Sequence, residues 1–247
     1  MRLGIRTRLR QLGWYPQLAA QRGFAAAVSA LSWRAWSIGC DGGQISKTGV
    51  AAHPLSKEWS ERFLAALDAA PLDTIKLDGR RPGYFYEARP KELIHLNNVN
   101  EYRAVTPAML QALREFLTEN RLIIEKCLGH PWRVCSVRTF FLKPSTEEGG
   151  MHFDGWPPSI RKLFILPNGA TRRTGTTQFK LRSGDDLVID EPRPLWTIFE
   201  NSRVQHALVP GEVARPTIEL NIVPARKTST EPFYCGINNW YPLFPWA

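Results

Sequence analysis

His152, Phe153 and Asp154 form a His-x-Asp step whose outer residues both carry metal-binding atoms. The step lies in a run, 150–154, with the composition of a short strand, directly after Gly149-Gly150. Side chains at i and i+2 of a strand share a face, so one ion can meet the imidazole and the carboxylate while Phe153 points away. A third ligand must come from elsewhere. His206 lies 206 − 154 = 52 residues on, in another short β-favouring run. Two imidazoles and one carboxylate on one side of a divalent transition ion leave the opposite positions open to small ligands. Arg215, 215 − 206 = 9 residues further, adds a guanidinium that can pair bidentately with a carboxylate taken into the interior. A buried anion needs such a partner. Thr217, one face-repeat along, can add a hydroxyl. Arg138, Thr139 and Lys143, on the run before the His-x-Asp step, are candidates for the same task.

The elements that must hold these residues fall into two textures. From Ser56, an N-cap candidate, Trp59, Phe63, Leu64 and Leu67 recur at helical spacing up to Pro71. From Thr106, with Pro107 in the first turn, Met109, Leu110, Leu113, Phe116 and Leu117 form an apolar face. That pattern continues through Leu122, Ile123 and Ile124 to a stop at Gly129 and Pro131. Residues 82–86 read as an ordered loop or short strand. After Trp132 come eight β-favouring runs, at about 133–142, 150–154, 162–166, 176–181, 186–189, 195–199, 204–209 and 217–223, separated by turns bearing Gly and Pro. Regular short strands of this kind indicate a sandwich or barrel, and eight suit a double-sheet jelly roll. The expected fold is α+β, with N-terminal helices packed on a double-stranded β-helix core. A basic segment (1–40) precedes a single domain with a helical part (41–131), a jelly-roll core (132–224) and an aromatic tail (225–247). In a double-stranded β-helix the second and seventh strands meet at the open end, which would bring His152 and Asp154 to His206.

His152-Phe153-Asp154, then His206, then Arg215 opening the run Arg-Pro-Thr-Ile-Glu-Leu-Asn-Ile, resemble the 2-oxoglutarate/Fe(II)-dependent dioxygenase superfamily, nearest its phytanoyl-CoA-hydroxylase-like branch. Leu163-Phe164-Ile165-Leu166, a turn, and Gly175-Thr176-Thr177 are similar to that family's third and fourth strands. The resemblance covers about residues 132–224, and residues 1–131 resemble no particular member. It implies catalytic iron, Fe(II), held by His152, Asp154 and His206. It also implies O2 and 2-oxoglutarate as co-substrates, with Arg215 in a salt bridge to the distal carboxylate of 2-oxoglutarate. The reaction it implies is hydroxylation of an unactivated C–H coupled to decarboxylation of 2-oxoglutarate to succinate and CO2. Two other classes fit the same residues: a non-catalytic jelly-roll domain attached to a membrane surface, and a cupin-type domain using the metal cage for isomerase or lyase chemistry.

Around the triad, Trp156-Pro157-Pro158 reads as a rigid loop forming a substrate wall. Arg161, Lys162, Arg172 and Arg173 flank it, either as a solvated cluster or as the seat of an anionic substrate. His53, His95 and His130 read as packed or surface imidazoles, with His95 also near the substrate cleft on one reading. The substrate class expected is small-molecule, lipid-linked or saccharide.

The net charge of +9 is unevenly placed. Residues 1–40 hold six Arg and no Asp or Glu, leaving +3 for the other 207 residues. Basicity confined to one end argues against nucleic acid as partner, which would want a basic face on the folded domain. The segment interleaves Arg with Leu, Phe and Trp and is broken by Pro16 and Gly23. It reads as an amphipathic interfacial helix on an anionic membrane, a transit peptide, or helices packed on the core. No run approaches the roughly 18–20 apolar residues of a span. A cytoplasmic location follows as the expectation, with peripheral contact at the inner membrane on the first reading. Cys40, Cys127, Cys135 and Cys235 have no paired spacing and read as reduced thiols.

Overall fold

A computed structural model describes residues 43–73, 100–144, 150–154, 160–225, 227 and 229–233. The N-terminal segment 1–40, the loop at 82–86, His95, Trp156-Pro157-Pro158 and all of the C-terminal tail beyond 233 lie outside the described residues.

The helices form where the capping chemistry places them. A single turn, α1 (Ile45–Thr48), is closed by Gly49 at φ 85°, a left-handed conformation that glycine adopts at little cost. In α2 (Lys57–Asp68) the Ser56 hydroxyl accepts from the Trp59 amide. In α3 (Pro107–Glu119) the Thr106 hydroxyl accepts from the Met109 amide, with Pro107 where no amide is needed. The long pattern expected after Thr106 is two helices rather than one. Asn120 leaves the helical region at φ −92°, ψ 10°, its side chain returns to the Phe116 carbonyl, and α4 (Arg121–Leu128) starts anew. Side-chain competition for a backbone carbonyl is what makes Asn a poor interior residue. Gly129, left-handed at φ 79°, ends α4.

Among the described residues nine strands follow or flank these helices: β1 (Val50–Pro54), β2 (Asn100–Arg103), β3 (Trp132–Leu142), β4 (Arg161–Leu166), β5 (Thr176–Lys180), β6 (Asp186–Val188), β7 (Leu195–Phe199), β8 (Gln205–Val209) and β9 (Arg215–Pro224). They make a six-stranded sheet in the order β1-β7-β4-β9-β3-β2 and a three-stranded sheet in the order β6-β5-β8. All pairings are antiparallel. This is a jelly-roll core, as expected, with two departures. The part read as helical contributes β1 and β2, which extend the large sheet at its two edges. The run at 150–154, expected as a full strand, is joined to β8 by a single bridge, His152 opposite His206.

Strand alternation assigns each face of the large sheet. Ile218, Leu220 and Ile222 of β9, Leu163 and Ile165 of β4, and Trp196 and Ile198 of β7 bury against Trp59, Phe63, Leu113 and Phe116 of the helices. Their neighbours in sequence point into the space between the sheets. There Phe164, Leu166, Leu195 and Phe199 meet Phe179 of the small sheet. Also on this inner face are Arg215, Thr217, Glu219 and Asn221 of β9, Lys162 of β4 and Thr197 of β7, all buried, with Arg138 of β3 opposite Glu219. So many polar side chains on the inner face of a barrel are what a core alone would avoid.

Candidate metal centre

His152 and His206 face each other because their backbones do. The His152 amide donates to the His206 carbonyl at 3.1 Å and the His206 amide returns the bond at 2.9 Å. Asp154 is tied in by its amide, which donates to the Asn201 carbonyl at 2.9 Å. His152 and Asp154 share a face, and Phe153 is 51% exposed on the other. The two rings stand 4.6 Å apart between centroids. His152 Nε2 lies 3.6 Å and His206 Nε2 3.7 Å from the same oxygen, Oδ1 of Asp154. One ligand atom from each residue thus falls within 4.8 Å of the others.

The hydrogen bonds also choose the tautomers. His152 Nδ1 is 2.8 Å from the Gly150 carbonyl and His206 Nδ1 is 3.3 Å from the Val204 carbonyl. A carbonyl only accepts, so each Nδ1 carries the proton and each Nε2 presents a lone pair to the shared space. Burial, with the nearby Lys162 ammonium, pushes His206 down to about 4, so it is neutral across the physiological range. His152 is held above the ordinary imidazole value, first by its hydrogen bond to Asp154. Burial acts to raise the Asp154 carboxyl, but Lys162, His152 and His206 together more than reverse it and keep the group ionised. A neutral imidazole, a second one competing with a proton, and a carboxylate are a donor set for a divalent transition metal.

Beyond the triad, Lys162 Nζ sits 2.5 Å from Asp154 Oδ2 and 3.5 Å from Glu219 Oε1. Glu219 also pairs with Arg138, so both carboxylates have fixed countercharges. Arg215 has none among the described residues. It is fully buried, and its one hydrogen bond among them is from Nη1 to the Gly175 carbonyl at 2.9 Å. Its Nε and Nη2 have no partner among the described residues. Burial alone pushes this guanidinium down to about 10. A buried cation with two unused donors marks the seat of an anion.

The expected site residues therefore separate. His152, Asp154 and His206 converge. Arg215 and Thr217 share the inner face of β9, with the Thr217 hydroxyl 3.4 Å from the Arg215 carbonyl. Arg138 reaches the same interior but is paired with Glu219. Thr139 is a correction: strand alternation turns it to the opposite face, where its hydroxyl donates to the Arg103 carbonyl at 2.8 Å. Arg161 is also no open substrate contact, being buried and paired with Glu200 at 2.8 Å. Arg172 is exposed in the turn before β5. His53 stacks on Trp196 at 4.4 Å between centroids, away from the triad. Lys162, Glu219 and Asn201 belong to the site and were not singled out as such by the sequence. Lys162 had one usable signal, its place in front of Leu163-Phe164-Ile165-Leu166, a run that reads as buried on both faces.

No protein-family model and no curated protein matches the sequence. Solved structures do. A non-heme monooxygenase, ThoJ, in its nickel complex superposes with a TM-score of 0.52 at 15% identity, covering 77% of this chain and 85% of that one. The non-heme alpha-ketoglutarate-dependent epimerase SnoN from nogalamycin biosynthesis gives 0.54 at 15%, covering 76% and 83%. An oxidoreductase of the 2OG-Fe(II) oxygenase family from Burkholderia pseudomallei gives 0.54 at 11%, covering 79% and 90%. The chain has the fold of the non-haem oxygenases. At these identities the likeness is one of fold, and the chemistry must be argued from the residues.

Proposed function

We propose that this chain is an Fe(II)/2-oxoglutarate-dependent oxygenase of the phytanoyl-CoA-hydroxylase-like kind. In this reading His152 Nε2, Asp154 Oδ1 and His206 Nε2 hold the iron. The observation that carries the reading is Arg215: a fully buried guanidinium without a countercharge among the described residues, in the same barrel as the His-Asp-His triad. 2-Oxoglutarate is a dicarboxylate, with one end for the metal and the other for Arg215, assisted by the Thr217 hydroxyl.

Bound iron supplies the oxidative chemistry that couples decarboxylation of 2-oxoglutarate with O2 to hydroxylation of an unactivated C–H. The chain's own residues bind, orient and shield. Asn201 and Lys162 fix the Asp154 carboxylate, the Gly150 and Val204 carbonyls fix the two imidazoles, and Phe164, Phe179 and Phe199 keep water from the floor beneath His206. The substrate is proposed to be a small-molecule, lipid-linked or saccharide compound entering past Arg172. The Arg-rich residues 1–40 would hold the domain against an anionic membrane surface.

The experiment is a screen of metabolite and lipid extracts with protein, Fe(II), 2-oxoglutarate and O2. The reading predicts succinate formation dependent on all three additions, and a product heavier by one oxygen atom. Succinate with a product of unchanged mass would keep the oxygenase site and replace hydroxylation by epimerisation. No succinate under any condition refutes the reading.

A further inference from the structure

Asp154 turns its two carboxylate oxygens to different partners. Oδ1 faces the imidazoles, at 3.6 and 3.7 Å. Oδ2 faces away from them, 2.5 Å from Lys162 Nζ and 3.1 Å from Asn201 Nδ2. Lys162 is 5% exposed on β4, opposite Asn221 of β9 and Phe199 of β7. Its ammonium also stands 3.5 Å from Glu219 Oε1, the oxygen that accepts from Arg138. The result is an unbroken line of alternating charge, Arg138–Glu219–Lys162–Asp154, running from β3 through β9 and β4 to the segment that carries the triad.

Stability does not call for such a line. Taking four charges out of water costs more than a similar set of apolar side chains would, and a buried ion pair often gains nothing over its hydrophobic replacement. The consequence lies at Asp154. A carboxylate free to turn can offer a cation both oxygens. One whose outer oxygen holds a charge-assisted bond to a buried ammonium and a second bond from an amide offers only the inner one.

We propose that Lys162 is a positioning residue for the metal centre. Braced by Glu219 and Arg138, it keeps Asp154 monodentate, so that one more coordination position stays open to exchangeable ligands. The inference rests on the metal site proposed above. With Lys162 removed, Oδ2 swings toward the metal and closes that position.

Mn(II) reports this directly, because each open position carries a water that exchanges with bulk and relaxes its protons. A monodentate triad leaves about three such positions on a six-coordinate ion. The measurement is water-proton relaxivity per bound Mn(II) on the full chain, with occupancy fixed by titration. Lys162→Met is expected to lower the relaxivity by about one third, from three open positions to two, while Lys162→Arg, which keeps a donor on Oδ2, stays near wild type. A purely structural role for Lys162 would change how much Mn(II) binds, not the relaxivity of each bound ion. Equal relaxivity in wild type and Lys162→Met overturns the inference. Should Lys162→Met fail to fold by circular dichroism, Lys162→Leu decides, since the smaller apolar side chain also leaves Oδ2 without the ammonium. A fall in relaxivity there supports the inference and no change overturns it. Wild-type protein that binds no Mn(II) at all would refute the metal site itself, and this inference with it.

Discussion

Replacing Arg215 with methionine removes the guanidinium and keeps most of its volume. In the ligand-free chain the wild-type residue is a burden: burial moves it from 12.5 to about 10, which at about 1.4 kcal/mol per unit corresponds to roughly 3 kcal/mol of unfavourable desolvation. Against that, the Gly175 carbonyl loses its 2.9 Å donor, about 1 kcal/mol. Arg215→Met should therefore be more stable than wild type by about 2 kcal/mol, a rise in Tm of roughly 4–8 °C for a chain of this size. The sign reverses when 2-oxoglutarate is added. Losing the charged partner of a buried carboxylate costs about 2–5 kcal/mol, which raises the Kd for 2-oxoglutarate by roughly thirtyfold to several thousandfold. Differential scanning calorimetry with and without 2-oxoglutarate, in the presence of Mn(II), reads both effects. Wild type should start lower and climb with ligand; the variant should start higher and stay flat. A variant that binds 2-oxoglutarate about as tightly as wild type, or that is less stable without it, would refute the assignment of Arg215.

Metal binding should release protons and weaken as the medium is acidified. His206, held down to about 4, is already neutral, so the competing proton is the one on His152, whose value is raised; apparent Mn(II) affinity should fall as pH drops through and below that raised value, and an affinity that does not change on acidification would contradict this. The metal-free fold should also lose stability on acidification. A His depressed from 6.5 to about 4 in the folded state leaves the unfolded chain binding more protons between those values, so up to about 3 kcal/mol is lost as pH falls through that window, measurable by urea unfolding. Gly211→Ala should disturb the seat of Arg215. An added Cβ would lie 2.2 Å from the Gly175 amide nitrogen, forcing apart the two turns that supply the Gly175 carbonyl. A loss of about 1–3 kcal/mol and weaker 2-oxoglutarate binding are expected, and an unchanged Kd would count against the coupling.

Much of the centre could be read from residue types because it obeys short-range rules. Alternation along a strand puts His152 and Asp154 on one face whether that strand is five residues long or, as here, held by one bridge to His206. Ser56, Thr106 and Gly129 announce helix ends through chemistry confined to one turn. What stayed hidden depends on contacts across the fold. Lys162 looks solvated among Arg161 and its neighbours until β4 is placed between β7 and β9, where it pairs with Asp154 and Glu219. Arg215 shows itself as an arginine in the sequence, but its lack of a countercharge among the described residues is a property of the packed barrel. β1 and β2 fall in the stretch read as the helical part, 41–131, because Val-Ala-Ala-His-Pro and Asn-Glu-Tyr-Arg carry little alternation. Edge strands borrow their order from the strand they pair with. Thr139 failed as a candidate for a simple reason: it sits one residue from Arg138 and so faces the other way.

The claim on which the account depends is that His152, Asp154 and His206 hold one metal ion. It is tested by isothermal titration of Mn(II) or Co(II) into the full chain and into His152→Ala, Asp154→Ala and His206→Ala. The account predicts one ion per wild-type chain and severe weakening in each variant, because two remaining ligands no longer define one face of the ion. Circular dichroism should show His152→Ala folded, since that side chain is half exposed and its loss disturbs little packing. Wild-type chain that takes up no ion, or three variants that bind as tightly as wild type, would contradict it.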